Sequence, residues 1–589
     1  MDSKNQSFRL KYLSILRTVI VVSAVIGLLS ILLEYGLNLG EEYDTILHMI
    51  APIVVLIYIL YFLSRFYFEK NKIEFLRSHV IESVVTLFIF IEFILTLIGG
   101  SIIQRISSEF KLNDITYIYI VLAQIYIVLG IGLSALRLNK NILESKIHPA
   151  RLLLLSFLIT ILVGAGLLML PASTVDSNIT FIDALFTATS AVCVTGLIVQ
   201  DTATYFTQFG HTIIMLLFQV GGLGLMTFTT FLAIFLSGGL GIKEKVILKE
   251  MIHEDNMNAI QKVLSLLILV TFIIEGMGAT IMYFSVREQF AEPMQAVYFS
   301  MFHAVSAFCN AGFSLNSAGL MEPVIHANHI FIFVISVLII LGGIGFPTII
   351  GIKHYFSHKK GEMRIKVKLP LQIKIIFVTT AFLIVFGATV FYILEVDASL
   401  AGMTWYDKIF HSYFQSVTSR TAGFNTIDTA LLRDPSALLV IFLMFIGGSP
   451  GGTGGGIRTT TFAIIVLSIV AALKNSDVVR TKNRSISDEI VKGAFLIFFV
   501  FVFFVVLGIF ALSITEHHDL VDIAFEAFSA SATVGLSKGI TSDLSDPGKI
   551  IVIILMFIGR IGPVTLLFAL SKQPEKVNSQ YPNENISTL

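Results

Sequence analysis

The chain has 589 residues, of which 55% are hydrophobic and 14% are charged, and its formal net charge is zero. Soluble proteins carry about 25% charged residues, so the composition excludes an ordinary soluble protein, and the charge balance indicates no nucleic-acid partner. Apolar runs long enough to cross a bilayer, about 17–25 residues, recur along almost the whole chain. The sequence therefore predicts an all-α, multi-pass membrane protein in contact with lipid.

Four predicted spans form an amino-terminal extension, residues 1–145, at about 14–33, 46–64, 82–103 and 116–136. The first is not a cleavable signal, because no small-residue cleavage site follows it and more spans come at once. A voltage sensor requires an arginine-rich fourth span, whereas residues 118–136 contain neither Lys nor Arg. We interpret the extension as structural or partner-binding rather than voltage-sensing.

Eight further spans follow as four pairs, and each pair encloses a short apolar segment. The leading helices are predicted at about 151–171, 262–285, 374–395 and 493–514, and the trailing helices at about 211–236, 328–351, 437–470 and 548–570. The short segments, at about 181–192, 297–308, 407–418 and 521–532, cannot span a bilayer. We predict re-entrant half-helices, which are tolerated at membrane depth when they are buried in protein or line water.

These pairs define four repeats, at 146–242, 243–352, 353–474 and 475–572, before a polar tail, 573–589, that is predicted to be disordered. Basic loops follow the second and fourth spans and the first three trailing helices. The positive-inside rule places these loops and both termini in the cytoplasm. All four glycine motifs then fall on the opposite, external side of the cell (inner or plasma) membrane.

A glycine motif follows each half-helix, and its glycine recurs at intervals of 116, 111 and 112 residues. Glycine adopts positive φ readily, so that successive carbonyls can point the same way. A ring of backbone carbonyls can replace the hydration shell of K⁺. We therefore predict a K⁺-binding selectivity filter built from Val194, Thr195, Gly196, Asn310, Ala311, Gly312, Thr421, Ala422, Gly423, Thr533, Val534 and Gly535.

Two further positions repeat behind the motifs. An aromatic residue stands ten places before each motif glycine, at Phe186, Phe302, Tyr413 and Phe525. Serine stands six places before it at Ser190, Ser306 and Ser529, and Val417 replaces it in the third repeat. The aromatics either wedge the half-helix against its neighbours or stiffen the pore wall, and the sequence leaves both interpretations open.

Several segments resemble the Trk/Ktr/HKT superfamily of potassium transporters, and most closely the membrane subunit of Ktr-type systems. They read SAVCVTGL, SAFCNAGF, TSRTAGFN, SATVGLSKG, GGSPGGTGGGIRTTTF and GRIGPVTL, and the match covers about residues 150–572. The resemblance implies four repeats around one pseudo-fourfold pore that takes up K⁺. Each is an M1–P–M2 repeat, which consists of a leading helix (M1), a half-helix (P) and a trailing helix (M2). The resemblance also implies a homodimer gated by separate cytoplasmic nucleotide-binding subunits, with no cofactor in this chain and nucleotide only on the partner.

A run of glycines interrupts the third trailing helix at Pro450, Gly451, Gly452, Thr453, Gly454, Gly455 and Gly456. Glycine costs about 1 kcal/mol and proline about 3 kcal/mol relative to alanine in a helix, so the helix should break here. The resemblance implies a flexible intramembrane loop that obstructs the ion path beneath the filter. A phosphate-binding loop is disfavoured, because Ile457 stands where that motif requires lysine and predicted membrane spans flank the run.

Arg560 is a charge within a predicted span, where charges usually face a cavity or a partner. Either it snorkels to an interface or packs on carbonyls, or it lies in the pore and tethers the glycine loop, as the family match GRIGP supports. Glu275 is another such charge, and the sequence does not identify its partner. We expect Arg420 to make a stabilising contact behind the filter.

Cys193 and Cys309 each precede a motif glycine by three residues, and we favour two buried free thiols over a disulfide. His303 and His411 are interpreted as packing or hydrogen-bonding residues. The spacing of His, Cys, Asp and Glu predicts no metal site, and the chain offers no nucleophile–base set, so we predict that it is not an enzyme.

All four filter positions are glycine, and by the resemblance Gly196 favours K⁺ over Na⁺, because serine there accompanies sodium preference in the plant branch. The basic loops at 359–368 and 474–484 are the expected docking surface for the regulatory subunit. Two alternatives remain: a Na⁺-dependent or Na⁺-permeable K⁺ transporter, and a non-conducting membrane sensor or scaffold.

Overall fold

A computed structural model describes residues 64, 66, 67, 72, 149–176, 179–224, 257–359, 369–476, 478–481 and 484–570. The tail 573–589, the basic stretch 360–368 and nearly all of the extension 1–145 lie outside the described residues. The account below therefore concerns the part of the chain that carries the glycine motifs.

The described residues form four successive sets of helices. The leading helices are Pro149–Leu168, Met257–Val286, Leu371–Glu395 and Asp488–Thr515. The four short helices that correspond to the predicted half-helices are Phe181–Val192, Pro293–Cys309, Trp405–Thr418 and Leu520–Ala532. They are called pore helices below, after the prediction from the sequence. The trailing helices are Gln208–Leu223, His329–Ile344 with Phe346–Lys359, Asp434–Phe445 with Thr459–Leu473, and Asp546–Ile561 with Pro563–Leu570.

Smaller elements connect these helices. They are the short helices Thr202–Tyr205 and Pro323–His326, and the 3-10 turns Pro171–Ser173, Arg287–Gln289, Gly319–Met321, Thr429–Leu431 and Thr541–Asp543. A two-stranded antiparallel hairpin pairs Arg480–Thr481 with Arg484–Ser485, in the loop after the third trailing helix. Three described stretches are long and apolar enough to cross a membrane: Leu266–Gln289, Leu371–Glu395 and Asp488–Thr515.

Side-chain caps fix where several of these helices begin. The hydroxyls of Thr180 and Thr404 accept hydrogen bonds from the backbone N–H of Asp183 and Asp407 at the first and third pore helices. The first, second and fourth trailing helices are capped in the same way, by Thr207, Asn328 and Ser545. Such caps satisfy N–H groups that have no partner inside the helix, so the polar residues in the sequence set these helix starts.

The helices pack in a closed cycle. Each leading helix contacts the pore helix of its own repeat, and each trailing helix contacts the pore helix of the next repeat, with the fourth trailing helix returning to the first pore helix. Glycines permit the closest approaches: Gly221 faces the carbonyl of Val192, and Gly559 faces that of Ser531. A side chain at either glycine would collide with the backbone, which agrees with the close packing that small residues allow.

The second and fourth trailing helices differ from the prediction, which made them continuous over 328–351 and 548–570. Each is interrupted by a glycine with positive φ, 88° at Gly345 and 89° at Gly562. Proline follows closely, at Pro347 and Pro563, and proline has no backbone N–H to continue the helical hydrogen bonds. The third trailing helix breaks as predicted, between Phe445 and Thr459.

Candidate functional site

The four glycine motifs meet in a ring. Each motif glycine lies against the carbonyl oxygen of the residue that precedes the glycine of the next repeat. The pairs are Gly196 with Ala311, Gly312 with Ala422, Gly423 with Val534, and Gly535 with Thr195. The contact thus passes from repeat 1 to 2, 3 and 4 and back to 1, and a Cβ atom at any of the four glycines would overlap a neighbouring carbonyl.

The four segments share one backbone conformation. The motif glycines have φ between 73° and 95°, and the residue two places earlier also has positive φ in every repeat. Those earlier residues are Val194, Asn310, Thr421 and Thr533, with φ between 52° and 79°. Positive φ is uncommon for residues other than glycine, but here it lies at or just after the carboxyl end of a pore helix in every repeat, where left-handed caps are common.

Hydrogen bonds hold each segment to the end of its own pore helix. The N–H of Thr195 donates to the carbonyl of Ser190 at 2.7 Å, and Ala311 and Val534 make the equivalent bonds at 2.8 and 2.9 Å. The Ser190 and Ser529 hydroxyls accept from the N–H of Gly196 and Gly535 at 3.0 and 3.1 Å. These contacts give the recurring serine a local structural role.

The third repeat, which has Val417 in place of that serine, uses the next residue instead. The Thr418 hydroxyl donates to the carbonyl of Phe424 at 2.7 Å, and the N–H of Ala422 donates to the Thr418 carbonyl at 3.0 Å. Ser306 in the second repeat likewise donates to the carbonyl of Phe313, at 2.9 Å. Each segment therefore has a hydroxyl tether, although its position differs between repeats.

The aromatic residues behind the ring pack against the core, and the one tyrosine among them, Tyr413, is partly buried with its hydroxyl 3.3 Å from that of Ser336. Phe186, Phe302 and Phe525 are fully buried. Phe302 packs edge-on against Phe218, with ring centroids 5.5 Å apart, and Phe218 stacks on Phe313, which directly follows the second motif glycine. The two interpretations, that the aromatics wedge the half-helix or that they stiffen the wall, are therefore compatible. The same rings that pack behind the pore helix also contact the segment that forms the ring of glycines.

A cavity of about 360 Å³ opens over the glycine side of the ring. All four motif glycines line it, together with the carboxylates Asp201 and Asp428. Asp201 is held in place by the hydroxyls of Thr204, at 2.7 Å, and Ser317, at 2.5 Å. The acidic lining favours cations over anions.

The glycine run 450–456 lies at the other end of the segments. Gly454 packs against the side chain of Thr421, and Gly455 packs against the Thr533 hydroxyl. The Thr453 hydroxyl donates to the carbonyl of Phe308 at 3.3 Å. The run thus touches the pore-helix ends or motif segments of three repeats, on the side away from the cavity.

Three arginines donate to carbonyls of this run or its flanks. Arg560 contacts the carbonyls of Thr453 and Gly221. Arg458 contacts the carbonyls of Ser449, at 3.4 Å, and Gly454. Within the described part of the chain, no carboxylate forms an ion pair with these guanidinium groups.

The third arginine, Arg420, donates to the carbonyl of Gly447 at 3.2 Å. From the sequence, Arg560 was connected with the glycine run and Arg420 was expected behind the motif, but Arg458 was missed. Its position could have indicated a role, because Arg458 is a charged residue within a predicted span and stands two places after Gly456, the last glycine of the run.

The remaining polar residues make internal contacts. Glu275 accepts from the side-chain amide of Gln219 at 3.2 Å, and the Cys309 thiol lies 3.3 Å from the Gln219 carbonyl oxygen. Cys193 and Cys309 are both free and buried.

The two histidines make contacts of the predicted kinds. His303 bonds the Ser314 hydroxyl at 3.0 Å, and His411 stacks on His326 with ring centroids 4.3 Å apart. Across the described residues, no group of His, Cys, Asp and Glu has the arrangement of a metal site.

Comparisons with known proteins point to one family. The TrkH family, described as "Cation transport protein", matches residues 156–581. Ktr system potassium uptake protein B of Bacillus subtilis is 38% identical over 459 residues, which cover 77% of this chain and 99% of the relative. Potassium/sodium uptake protein NtpJ of Enterococcus hirae is 36% identical over 76% of this chain and 98% of its own length.

A solved structure has the same fold. The potassium transporter TrkH from Vibrio parahaemolyticus aligns with a TM-score of 0.54 and 20% sequence identity, over 70% of this chain and 84% of that one. Together, the family match and the relatives confirm the resemblance that was predicted from the glycine motifs.

Proposed function

We propose that this chain, which belongs to the TrkH family of cation transport proteins, carries out potassium uptake through a pore ringed by its four glycine motifs. It is an ion transport protein rather than an enzyme, as its relatives are. The proposal rests on one observation above all: each motif glycine contacts a carbonyl of the next repeat, and the four contacts close a ring.

In this proposal the ring is the selectivity filter. The carbonyls of Val194, Thr195 and Gly196 and of the corresponding residues in the other three repeats replace the hydration shell of K⁺. K⁺ enters from the acidic outer cavity, where Asp201 and Asp428 raise the local cation concentration. The names of the Bacillus and Enterococcus relatives, both potassium uptake proteins, support potassium as the transported ion.

We assign the gate to residues 450–456 together with Arg560. The run packs against the inner ends of the motif segments, where it would obstruct an ion that leaves the filter. Arg560 adds a positive charge at that point and bonds the run through Thr453. Glycines make the run deformable, because they impose little steric restriction on the backbone.

The larger architecture belongs to the same proposal. Four M1–P–M2 repeats surround one pseudo-fourfold pore, residues 1–145 add about four spans, and both termini lie in the cytoplasm. The chain forms a homodimer, and separate cytoplasmic subunits that bind a nucleotide dock on the basic loops at 359–368 and 474–484. K⁺ moves down its electrochemical gradient through a protein of the cell membrane.

A Na⁺-permeable or Na⁺-dependent K⁺ transporter is the second candidate. Its support is the Enterococcus relative, whose name includes sodium as well as potassium. A non-conducting sensor or scaffold has less support, because the ring keeps glycine at all four positions.

Rb⁺ uptake into proteoliposomes that contain the full chain tests the proposal. We expect uptake that K⁺ suppresses and Na⁺ does not, and none with Gly423→Asp, because a carboxylate would stand beside the Val534 carbonyl in the ring. Suppression by both ions would favour the sodium-permeable alternative. Equal uptake by the wild type and Gly423→Asp would contradict the filter assignment.

The gate is tested separately by deleting residues 451–455. If the run obstructs the pore, the deletion raises the maximal rate of Rb⁺ uptake while K⁺ still suppresses it and Na⁺ does not. An unchanged rate in a variant that elutes as the wild type does in size-exclusion chromatography would contradict the gate assignment.

A further inference from the structure

We propose that Gly345 and Pro347, at the break in the second trailing helix, are positioning residues that hold the glycine run 450–456 in its obstructing place. The inference rests on the proposed gate and adds the element that holds it. In consequence, the helix Phe346–Lys359 becomes the part of the protein that moves the gate.

The break exchanges helical hydrogen bonds for bonds to the run. In a continuous helix, the carbonyls of Gly342 and Gly343 would accept from the N–H groups of residues 346 and 347. Pro347 has no N–H, and the N–H of Phe346 instead donates to the carbonyl of Gly451 at 3.2 Å.

The two carbonyls that the break leaves free are used by the segment that carries the run. The carbonyl of Gly343 accepts from the N–H of Ser449 at 2.9 Å, and that of Gly342 accepts from the N–H of Thr453 at 3.2 Å. With the bond from Phe346 to Gly451, three backbone hydrogen bonds join the broken helix to the segment 449–453. Buried backbone groups must find hydrogen-bond partners. The segment 449–453 and the broken helix supply these partners to each other.

The shapes of the two backbones also fit closely. A Cβ atom at Gly345 would lie 2.6 Å from the carbonyl oxygen of Pro450 and 3.0 Å from the N atom of Gly452. On the other side, a Cβ atom at Gly451 would lie 2.6 Å from Cδ of Pro347. Neither glycine can carry a side chain unless the run moves away from the helix.

The break in the fourth trailing helix provides an internal comparison. Gly562 has φ of 89°, almost the same as Gly345, and is followed directly by Pro563. A Cβ atom at Gly562 would meet only the Thr565 hydroxyl, at 3.7 Å. Similar breaks therefore occur in both helices, but they meet the run differently. At the break in the second helix the Phe346 backbone bonds the run, whereas the fourth helix reaches it through the Arg560 side chain, two residues before Gly562.

This contact connects the gate to the cytoplasmic side. The helix Phe346–Lys359 leads directly into the basic stretch that ends at Lys368, where we place a docking surface for the regulatory subunit. A tilt of this helix about Gly345 would withdraw the Phe346 N–H and the Pro347 ring from Gly451. The run would then lose its contacts with Phe346 and Pro347 but keep the bonds to the Gly342 and Gly343 carbonyls and its contacts with Arg560 and Arg458.

The test is Pro347→Ala in the full chain, measured by Rb⁺ uptake into proteoliposomes. Alanine supplies an N–H that competes with Ser449 for the Gly343 carbonyl. We expect the maximal rate to rise about 2- to 10-fold, which corresponds to the roughly 0.5–1.5 kcal/mol that one hydrogen bond contributes. The KM for Rb⁺ and the K⁺/Na⁺ discrimination should not change, because the filter is not altered.

Gly345→Ala is the second variant, and it should raise the rate at least as much because it displaces the run sterically. Pro563→Ala and Gly562→Ala are the matched controls, since they make the same changes at a break where the glycine itself faces only Thr565 and leave the Arg560 side chain in place. We expect both controls to transport Rb⁺ at the wild-type rate.

The deletion of residues 451–455 separates failure of this inference from failure of the proposed gate. A raised rate in the deletion variant, with wild-type rates in Pro347→Ala and Gly345→Ala, would overturn the positioning role and leave the gate in place. Equal increases in the test variants and their controls would also overturn it, as would altered K⁺/Na⁺ discrimination. No increase in the deletion variant would overturn both.

Discussion

The ring of motif glycines and the glycine run 450–456 are both rich in glycine, but they differ in where their hydrogen-bond partners lie. In the ring, one glycine per repeat is placed by hydrogen bonds to its own pore helix, such as the bond from Gly196 to Ser190 at 3.0 Å. The run belongs to one repeat, but other repeats bond it: the Phe346 N–H donates to the Gly451 carbonyl, and Arg560 donates to the Thr453 carbonyl. The ring is thus built locally four times, whereas the run is built once and held from outside.

This difference implies a difference in mobility. A segment bonded to its own helix moves only with that helix, so the ring should keep its shape while ions pass. A segment whose partners lie on other helices can be released when those helices shift. The chain therefore combines a filter that resists change with a gate that a small rearrangement could free.

The strongest test of the rigid part is Gly423→Ala. Gly423 has φ of 79° and its position faces the Val534 carbonyl, so alanine there combines backbone strain with a collision. We expect Rb⁺ uptake to fall to the level of empty liposomes.

Gly402→Ala is the matched control for this loss. Gly402 has φ of 81°, yet no heavy atom lies within 4 Å of the place of its Cβ atom. The control therefore carries only the strain of about 1–2 kcal/mol that left-handed backbone costs, and it should still transport. Substantial uptake by Gly423→Ala would mean that the ring is looser than the contacts indicate.

The releasable part is tested by Arg560→Gln, which removes the charged donor to the carbonyls of Thr453 and Gly221. A hydrogen bond from a charged group contributes about 1.5–3 kcal/mol, so the equilibrium of the run should shift about 10- to 100-fold toward release. The measurement is the maximal rate of Rb⁺ uptake, which should increase.

The control for this variant is Arg433→Gln, because Arg433 is exposed and precedes the third trailing helix. It should transport at the wild-type rate. A decrease in uptake by a correctly folded Arg560→Gln protein would show that Arg560 supports the pore rather than holding the gate closed.

The smallest expected effect tests the hydroxyl tethers of the ring. Ser190→Val gives the first repeat the residue that Val417 supplies in the third, and it removes the acceptor for the Gly196 N–H. One hydrogen bond contributes about 0.5–1.5 kcal/mol, so K⁺/Na⁺ discrimination should fall about 2- to 10-fold. The K⁺/Na⁺ discrimination is measured from how strongly K⁺ and Na⁺ each suppress Rb⁺ uptake.

Thr160→Val is the matched control, since the Thr160 hydroxyl donates to Ser156 at 2.8 Å within the first leading helix. Its discrimination should equal that of the wild type. A Ser190→Val protein with wild-type discrimination would indicate that the bonds from Thr195 to the Ser190 backbone suffice to hold the segment.

The sequence by itself determined the parts whose signal is local. Apolar length marked the helices, and the recurring glycines marked the segments that meet in the ring. These features could be predicted because each depends on residues within one or two helical turns. The resemblance to the Trk/Ktr/HKT superfamily rested on the same local motifs.

Only the tertiary structure decided which residues meet across repeats. The G-G-x-G and proline pattern at Gly342–Gly345 and Pro347 was visible in the sequence, but nothing local shows that the freed carbonyls bond Ser449 and Thr453. Arg458 and the Gln219 partner of Glu275 were missed for the same reason. A freed carbonyl or a buried charge creates a need for a partner, and the packing of distant helices selects the residue that supplies it.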